Sequence, residues 1–354
     1  MLIALLFAWE FGILGVMIKQ TLTKKITTLL LLVALMGCAS RPPESVRVTI
    51  FAMDTVMILT IYGDMAGEAT QQAEEELRRL EQLFSVTLPE SDIARANSAA
   101  GETTYIAAQT AEVLALALGF WEETGGSFSP GLYTLSRAWG FTTGENRVPG
   151  KYELTALLEN VYVAGIRLDG YALALPPGTE LDLGAIAKGY AGDRLAEILA
   201  GLGVEAAILS LGGDVVAFGG RPDGLPWRVA IRDPQGDGFL GVVEARDQMV
   251  STSGSNERWF VADDGGIYHH ILDPWTGRPV ENELVSVTVV ASSGVRSDAI
   301  STALFVMGLE EGIAFTARTP DIEAVFLTQD GRIYATGGLE GVFLPEDVER
   351  VSWV

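Results

Sequence analysis

The chain has 354 residues, room for one large domain or two ordinary ones, and its 48% apolar and 20% charged content is that of a globular protein rather than a disordered or fibrous one. Its 46 acidic against 24 basic residues give a net charge of −22, which repels phosphate backbones and argues against nucleic-acid binding. A single cysteine, Cys38, excludes a disulfide framework and a cysteine-built zinc or iron–sulfur site within one chain, and the only two histidines, His269 and His270, confine imidazole chemistry to one place.

Lys19, Lys24 and Lys25 lead into the apolar run Ile26–Leu35, followed by Leu35-Met36-Gly37-Cys38 and small residues. That is the layout of a secretory signal, and the run is shorter than the roughly 18 apolar residues of a spanning helix. Leu-Met-Gly-Cys resembles a bacterial lipobox, which implies that Cys38 becomes the first mature residue, carries a lipid and tethers the protein to the outside of the cell membrane; the plain alternative is a free apolar cysteine. An extra apolar stretch precedes Met17, which opens a conventional signal, so the true start is expected there. Residues 1–37 are thus expected to be a signal peptide, 38–47 a lipid-anchored linker and 48–350 one domain.

Val48–Tyr62 alternates and is rich in β-branched residues, which predicts a strand interrupted at Met53-Asp54-Thr55. Ala66–Phe84 carries apolar residues at helical spacing and predicts an amphipathic helix. Thr110–Thr124 predicts a second helix, closed by Gly125-Gly126, and 181–202 a loop running into a helix. Strands are predicted over Ala206–Gly213, Trp227–Ile231 and Leu284–Ala291, a helix over Ser297–Met307, and a hairpin from Ala324–Leu327 and Gly331–Thr336. Without a regular strand–helix–strand cadence, the class expected is α+β, a mixed sheet with packed helices.

No dinucleotide fingerprint or P-loop is written here. Asp182-Leu-Gly-Ala-Ile-Ala-Lys188 places a lysine and free N–H groups at a helix start, which attracts phosphate, or is simply a capping Asp with a solvated Lys. Asp298 and Thr302, four apart on a helix, present oxygens on one face, as a hard cation accepts; alternatively they are a terminal charge and a packing residue. His269-His270-Ile-Leu-Asp273-Pro joins both imidazoles to a carboxylate, and a neutral ring there can act as a base, while the ring that points away is a structural histidine. Thr252-Ser253-Gly254 adds hydroxyls upstream, or a plain turn.

These segments together, with Leu-Gly-Gly-Asp (211–214), His-Ile-Leu-Asp-Pro-x-Thr-Gly-x-Pro (270–279) and Ser-Asp-Ala-x-Ser-Thr-Ala-Leu (297–304), resemble the ApbE family of FAD:protein FMN transferases. Fragments at 84–85, 91–97, 125–128 and 139–141 extend the likeness from about Val48 to about Phe343. The resemblance implies Mg²⁺-dependent transfer of FMN from FAD to a Thr or Ser hydroxyl of a membrane redox partner, with release of AMP. It implies Mg²⁺ on Asp298, Thr302 and the Ala185 carbonyl, and FAD against Asp182 and Lys188. It also implies His270 as base, with Met53, Ser127, Phe128 and Ile271 lining the flavin nucleotide pocket. Asp54, Thr87 and Ser129 depart from the commoner pattern, which is expected to change FAD affinity rather than abolish activity. The alternatives are a lipoprotein that carries FAD without cleaving it and a pyrophosphatase that yields FMN and AMP.

Overall fold

A computed structural model describes residues 44–354; the expected signal, Cys38 and the first part of the expected linker lie outside the described residues. The strand expected over Val48–Tyr62 is a hairpin of β1 (Ser45–Ala52) and β2 (Thr55–Tyr62), paired antiparallel from Ser45 with Tyr62 to Ala52 with Thr55. Met53 and Asp54 are its two turn residues, with φ of 52° and 58°, the left-handed pair that a type I′ connection demands. Ser45, Val46 and Arg47 belong to β1 because each has a partner in β2. Residues 45–47, placed in the expected linker, are thus part of the first strand.

Helix α1 (Ala66–Phe84) has the expected bounds and buries Ala69, Ala73, Leu77, Leu80 and Phe84 along one face. Then come α2 (Asp92–Ser98), β3 (Thr103–Tyr105), α3 (Ala108–Glu123), α4 (Tyr133–Trp139) and α5 (Lys151–Leu158). Two short strands, β4 (Arg167–Asp169) and β5 (Ala172–Ala174), make a small sheet with β3. Helix α6 (Ala187–Gly201) is followed by β6 (Ala206–Leu211) and β7 (Asp214–Gly219). The Gly212-Gly213 step, which ends the strand expected over Ala206–Gly213, is a hairpin turn with φ of 68° and 108°.

Strands β8 (Trp227–Arg232), β9 (Phe239–Ala245) and β10 (Gln248–Gly254) lead to the small hairpin β11 (Trp259–Val261) and β12 (Ile267–His269). After β13 (Leu284–Ala291) the chain forms α7 (Gly294–Met307) and α8 (Leu309–Ala317). It ends with β14 (Ile322–Thr328), β15 (Ile333–Ala335), β16 (Phe343–Pro345) and β17 (Val351–Trp353). The last strand pairs parallel with β15, so the domain runs beyond the expected end at 350.

Nine strands form one sheet in the order β1-β2-β6-β7-β10-β13-β14-β15-β17, antiparallel except for the last pair. This is the α+β mixed sheet that the sequence predicts. One face, with Met57, Leu59, Leu209, Met249 and Val287, packs against the helices. The other, with Ala217, Val250, Val290 and Val325, packs against a three-stranded sheet of order β16-β9-β8. Alternation along β10 sends Met249, Ser251 and Ser253 to the helical side and Val250 to the other. No helix among the described residues is long and apolar enough to cross a membrane.

Candidate active site

A cleft of about 1120 Å³ opens where the helical layer meets one end of the large sheet. Met53, Ser127, Phe128, Asp182, Ala185, Lys188, His270, Ile271, Asp298 and Thr302 all line it. These residues come from five separate stretches of chain, and their meeting is a product of the fold.

Asp298 and Thr302 stand one turn apart on α7, and Asp298 is 3% exposed. Its Oδ1 lies 3.2 Å from Lys188 Nζ, and its Oδ2 accepts the Gly189 N–H at 2.9 Å. In a regular helix that N–H would bond the Ala185 carbonyl four residues back. Given to Asp298, it leaves the Ala185 carbonyl without its helical partner at the cleft wall. Thr302 Oγ1 is 3.1 Å from Ser253 Oγ, which reaches Ser301 Oγ at 2.8 Å, so β10 fixes the hydroxyl side of the helix.

Lys188 also faces Asp214, whose Oδ2 is 3.4 Å from Nζ, fully buried and in no hydrogen bond. Burial pulls the Lys188 ammonium down, but the Asp298 and Asp214 carboxylates outweigh it and hold the lysine above its ordinary value. Burial pushes the Asp214 carboxyl above the usual carboxylate range against the pull of Lys188. Two buried carboxylates thus share one ammonium. The Asp298 carboxylate, the open Ala185 carbonyl and the Thr302 hydroxyl, with the unpartnered Asp214 oxygen across Lys188, are an all-oxygen donor set. This set fits a hard divalent cation such as Mg²⁺, which takes few protein ligands and fills its remaining positions with water and phosphate oxygens. Among the described residues no three His, Cys, Asp or Glu side chains converge on a single point.

The 181–188 loop is held from outside. Asn97 clasps Leu181, accepting its N–H at 2.7 Å and donating to its carbonyl at 2.9 Å, and the Asp182 N–H reaches the Pro130 carbonyl at 2.8 Å. Asp182 turns its Oδ1 onto the Gly184 N–H at 2.8 Å, while burial pushes its carboxyl up. The fragment at 91–97 is therefore scaffolding: Asp92 accepts from the Ala107 N–H at 2.6 Å and Thr110 Oγ1 at 2.7 Å, and Asn97 grips the loop.

The two histidines separate. His269 turns away, its Nε2 3.0 Å from the Val280 carbonyl and its ring edge-on to Phe305. His270 faces the cleft, tied through its N–H to the Arg258 carbonyl at 3.0 Å. Its Nδ1 is buried without a partner, and burial, helped by the Arg258 charge, pushes the ring down to about 3. It is neutral at physiological pH. Asp273 does not orient it, because its Oδ1 accepts from the Trp275 and Thr276 N–H groups at 2.7 and 3.1 Å.

Met53 enters the cleft from the β1–β2 turn, its N–H bonded to Glu81 Oε1 at 2.8 Å. Phe128 and Ser127 are 1% and 4% exposed, held by Thr124 through the Phe128 N–H to Oγ1 at 3.0 Å. Ile271 is buried beside His270. Asp54, Thr87 and Ser129, the departures noted above, line the same cleft, and Asp54 is bound to Arg258 at 3.1 Å. Arg258 was not legible as a site residue. Only its place beside Glu257, just past the Thr-Ser-Gly end of β10, signals it.

An enzyme cleft for an anionic, phosphate-bearing ligand is what this donor set, fixed ammonium and neutral imidazole define. A family model described as ApbE matches residues 53–326, and the chain belongs to the ApbE family. It is 32% identical over 308 residues to the FAD:protein FMN transferase of Treponema pallidum (strain Nichols), covering 80% of this chain and 85% of that protein. Identity is also 32% over 301 residues with the FAD:protein FMN transferase of Klebsiella pneumoniae (strain 342), covering 83% and 93%. The crystal structure of the ApbE protein of Thermotoga maritima superposes with a TM-score of 0.80 at 29% identity, over 84% of this chain and 99% of that one.

Proposed function

We propose that the protein transfers the FMN moiety of FAD to a Thr or Ser hydroxyl of another protein, with release of AMP. The observation that carries this reading is that the cation-ready oxygens of α7, the Lys188 ammonium and the neutral His270 ring open on one cleft. The acceptor O–H attacks the phosphorus on the flavin side of the pyrophosphate. A new P–O bond forms, the P–O bond to AMP breaks, and the hydroxyl proton passes to the imidazole of His270. Asp298, Thr302 and the Ala185 carbonyl would hold Mg²⁺, which supplies charge neutralisation on the pyrophosphate. Lys188 keeps its proton and places a fixed positive charge beside the leaving phosphate, while Phe128 and its neighbours exclude water from the flavin side.

The test is to incubate the protein with FAD, Mg²⁺ and a threonine-bearing flavin-acceptor domain, following in-gel flavin fluorescence and AMP. A fluorescent acceptor with stoichiometric AMP is expected. AMP without the adduct means hydrolysis, and bound FAD without AMP means a carrier.

The Leu-Met-Gly-Cys motif supports a lipid anchor on Cys38, an extracytoplasmic site and membrane redox proteins as acceptors. Cys38→Ser is expected to move the protein from the membrane fraction to the soluble one with transfer activity intact. Retention of the variant in membranes would contradict the anchor.

A further inference from the structure

We infer that Asp193 is the positioning residue that sets where the Asp298 carboxylate and the Thr302 hydroxyl stand relative to Lys188. The inference rests on the reading of Asp298 and Thr302 as the cation pair, and deepens it. Asp193 lies on α6, one turn beyond Gly189, and its carboxylate reaches across to the first turn of α7. Its Oδ1 accepts the Gly294 N–H at 2.5 Å, its Oδ2 accepts the Val295 N–H at 2.9 Å, and the Ser293 hydroxyl donates to Oδ2 at 3.3 Å. The N-cap of α7 on its own side is weak: Ser293 Oγ is 3.4 Å from the Arg296 N–H. The free N–H groups that a helix ordinarily satisfies locally are here satisfied from a neighbouring helix.

Two further fastenings lie in line with the first. The backbones of α6 and α7 touch at Gly189 and Gly294: a Cβ on Gly189 would stand 2.2 Å from the Gly294 carbonyl oxygen, and one on Gly294 would stand 2.5 Å from that of Gly189. One turn on, the Gly189 N–H binds Asp298 Oδ2 at 2.9 Å. From the Asp193 contacts to Asp298 is a single helical turn, so a slide or rotation of the α7 N-terminus moves the carboxylate directly. Lys188 and Gly189 sit on the same helix as Asp193, and the clamp therefore fixes the carboxylate against the ammonium and against the Ala185 carbonyl that precedes α6. Outer residues of this kind control metal affinity through the ligands they hold.

An ordinary helix cap would make the same hydrogen bonds, and one pair of variants separates the two roles. Asp193→Ala removes both the cap and the tie between helices. Asp193→Ala combined with Ser293→Asp returns a capping carboxylate to α7 from within α7, but leaves the helices untied. Mg²⁺ alone is titrated into each protein by calorimetry, and stability is read from the urea midpoint. Asp193→Ala is expected to lose stability and roughly tenfold or more in Mg²⁺ affinity, in line with other outer-shell losses. The double variant is expected to recover the urea midpoint while Mg²⁺ affinity stays low. Recovery of both together, or wild-type Mg²⁺ affinity in folded Asp193→Ala, reduces Asp193 to a cap and overturns the proposal. If Asp193→Ala does not fold, Asp193→Asn, which keeps one acceptor, takes its place with the same expectations. Wild-type protein that binds no Mg²⁺ would bring down the cation reading of Asp298 itself, and this inference with it.

Discussion

Asp298→Asn is expected to lower FMN transfer on the order of 10² to 10³-fold, the scale on which removal of one fixed charge-stabilising group acts. The amide matches the carboxylate in shape, and its oxygen can still accept the Gly189 N–H that Asp298 Oδ2 accepts at 2.9 Å. What it removes is the negative charge on the cation pair and the nearer of the two acidic groups beside Lys188, which keeps Asp214 at 3.4 Å. The loss should therefore appear in activity, with little change in the urea midpoint. Asp298→Ala also leaves the Gly189 N–H unpaired in a buried place and should cost a further ~1–3 kcal/mol of stability. The measurement is kcat/KM for transfer across a range of Mg²⁺ concentrations. Activity near wild type in the Asn variant would remove Asp298 from the cation site.

Legibility in the sequence follows from how local each feature is. The 66–84 helix and the 284–291 strand were readable because burial imposes a period on consecutive residues. The pair Asp298 and Thr302 was readable because four residues on a helix is itself a geometry. β10 carries no such pattern: its residues Ser251, Thr252 and Ser253 have no apolar alternation, since Ser251 and Ser253 face hydroxyls of α7, with Ser251 2.8 Å from Ser297 and Ser253 2.8 Å from Ser301. β7 was hidden behind Gly212-Gly213, which reads as an end and is a turn. The β16-β9-β8 sheet is only partly legible because β16 and β9 are about a hundred residues apart in the chain. Asp193 carries no signal at all, because its partners are backbone N–H groups a hundred residues away.

The same distinction explains the histidines. Adjacency in sequence puts His269 and His270 on opposite sides of a strand end, so one ring enters the cleft and the other packs on Phe305. The nearby Asp273 suggested a base with a carboxylate partner. Its Pro-Trp-Thr turn instead consumes that carboxylate, because short side-chain bonds to the next N–H groups are made more cheaply than bonds across a gap. A ring without an acidic partner, partly buried with its Nδ1 sealed off and close to Arg258, loses its affinity for a proton.

His270→Gln is expected to reduce transfer on the order of 10² to 10⁴-fold, the range for a general base, while FAD binding is retained. In the free protein burial and the Arg258 charge push the ring down to about 3, so it is already deprotonated at neutral pH. If His270 is the base, an anionic pyrophosphate in the cleft would oppose the Arg258 charge and raise the proton affinity of the ring. Since kcat/KM reports the free enzyme, its pH profile should show no acidic limb near 6.5, the ordinary histidine value. A limb at that position that vanishes in His270→Gln would overturn the neutral, buried base. Stability gives an independent check. The unfolded chain takes up a proton on this ring near 6.5 and the folded chain only near 3, so stability is full above about 6.5 and is lost as pH falls between those values. One proton sets a slope of at most about 1.4 kcal/mol per pH unit. Urea midpoints measured from pH 7.5 down to the acid limit of folding should fall less steeply in His270→Gln than in the wild type. Parallel curves would mean that His270 is charged or solvated in the folded protein, and a ring in that state could not serve as the base.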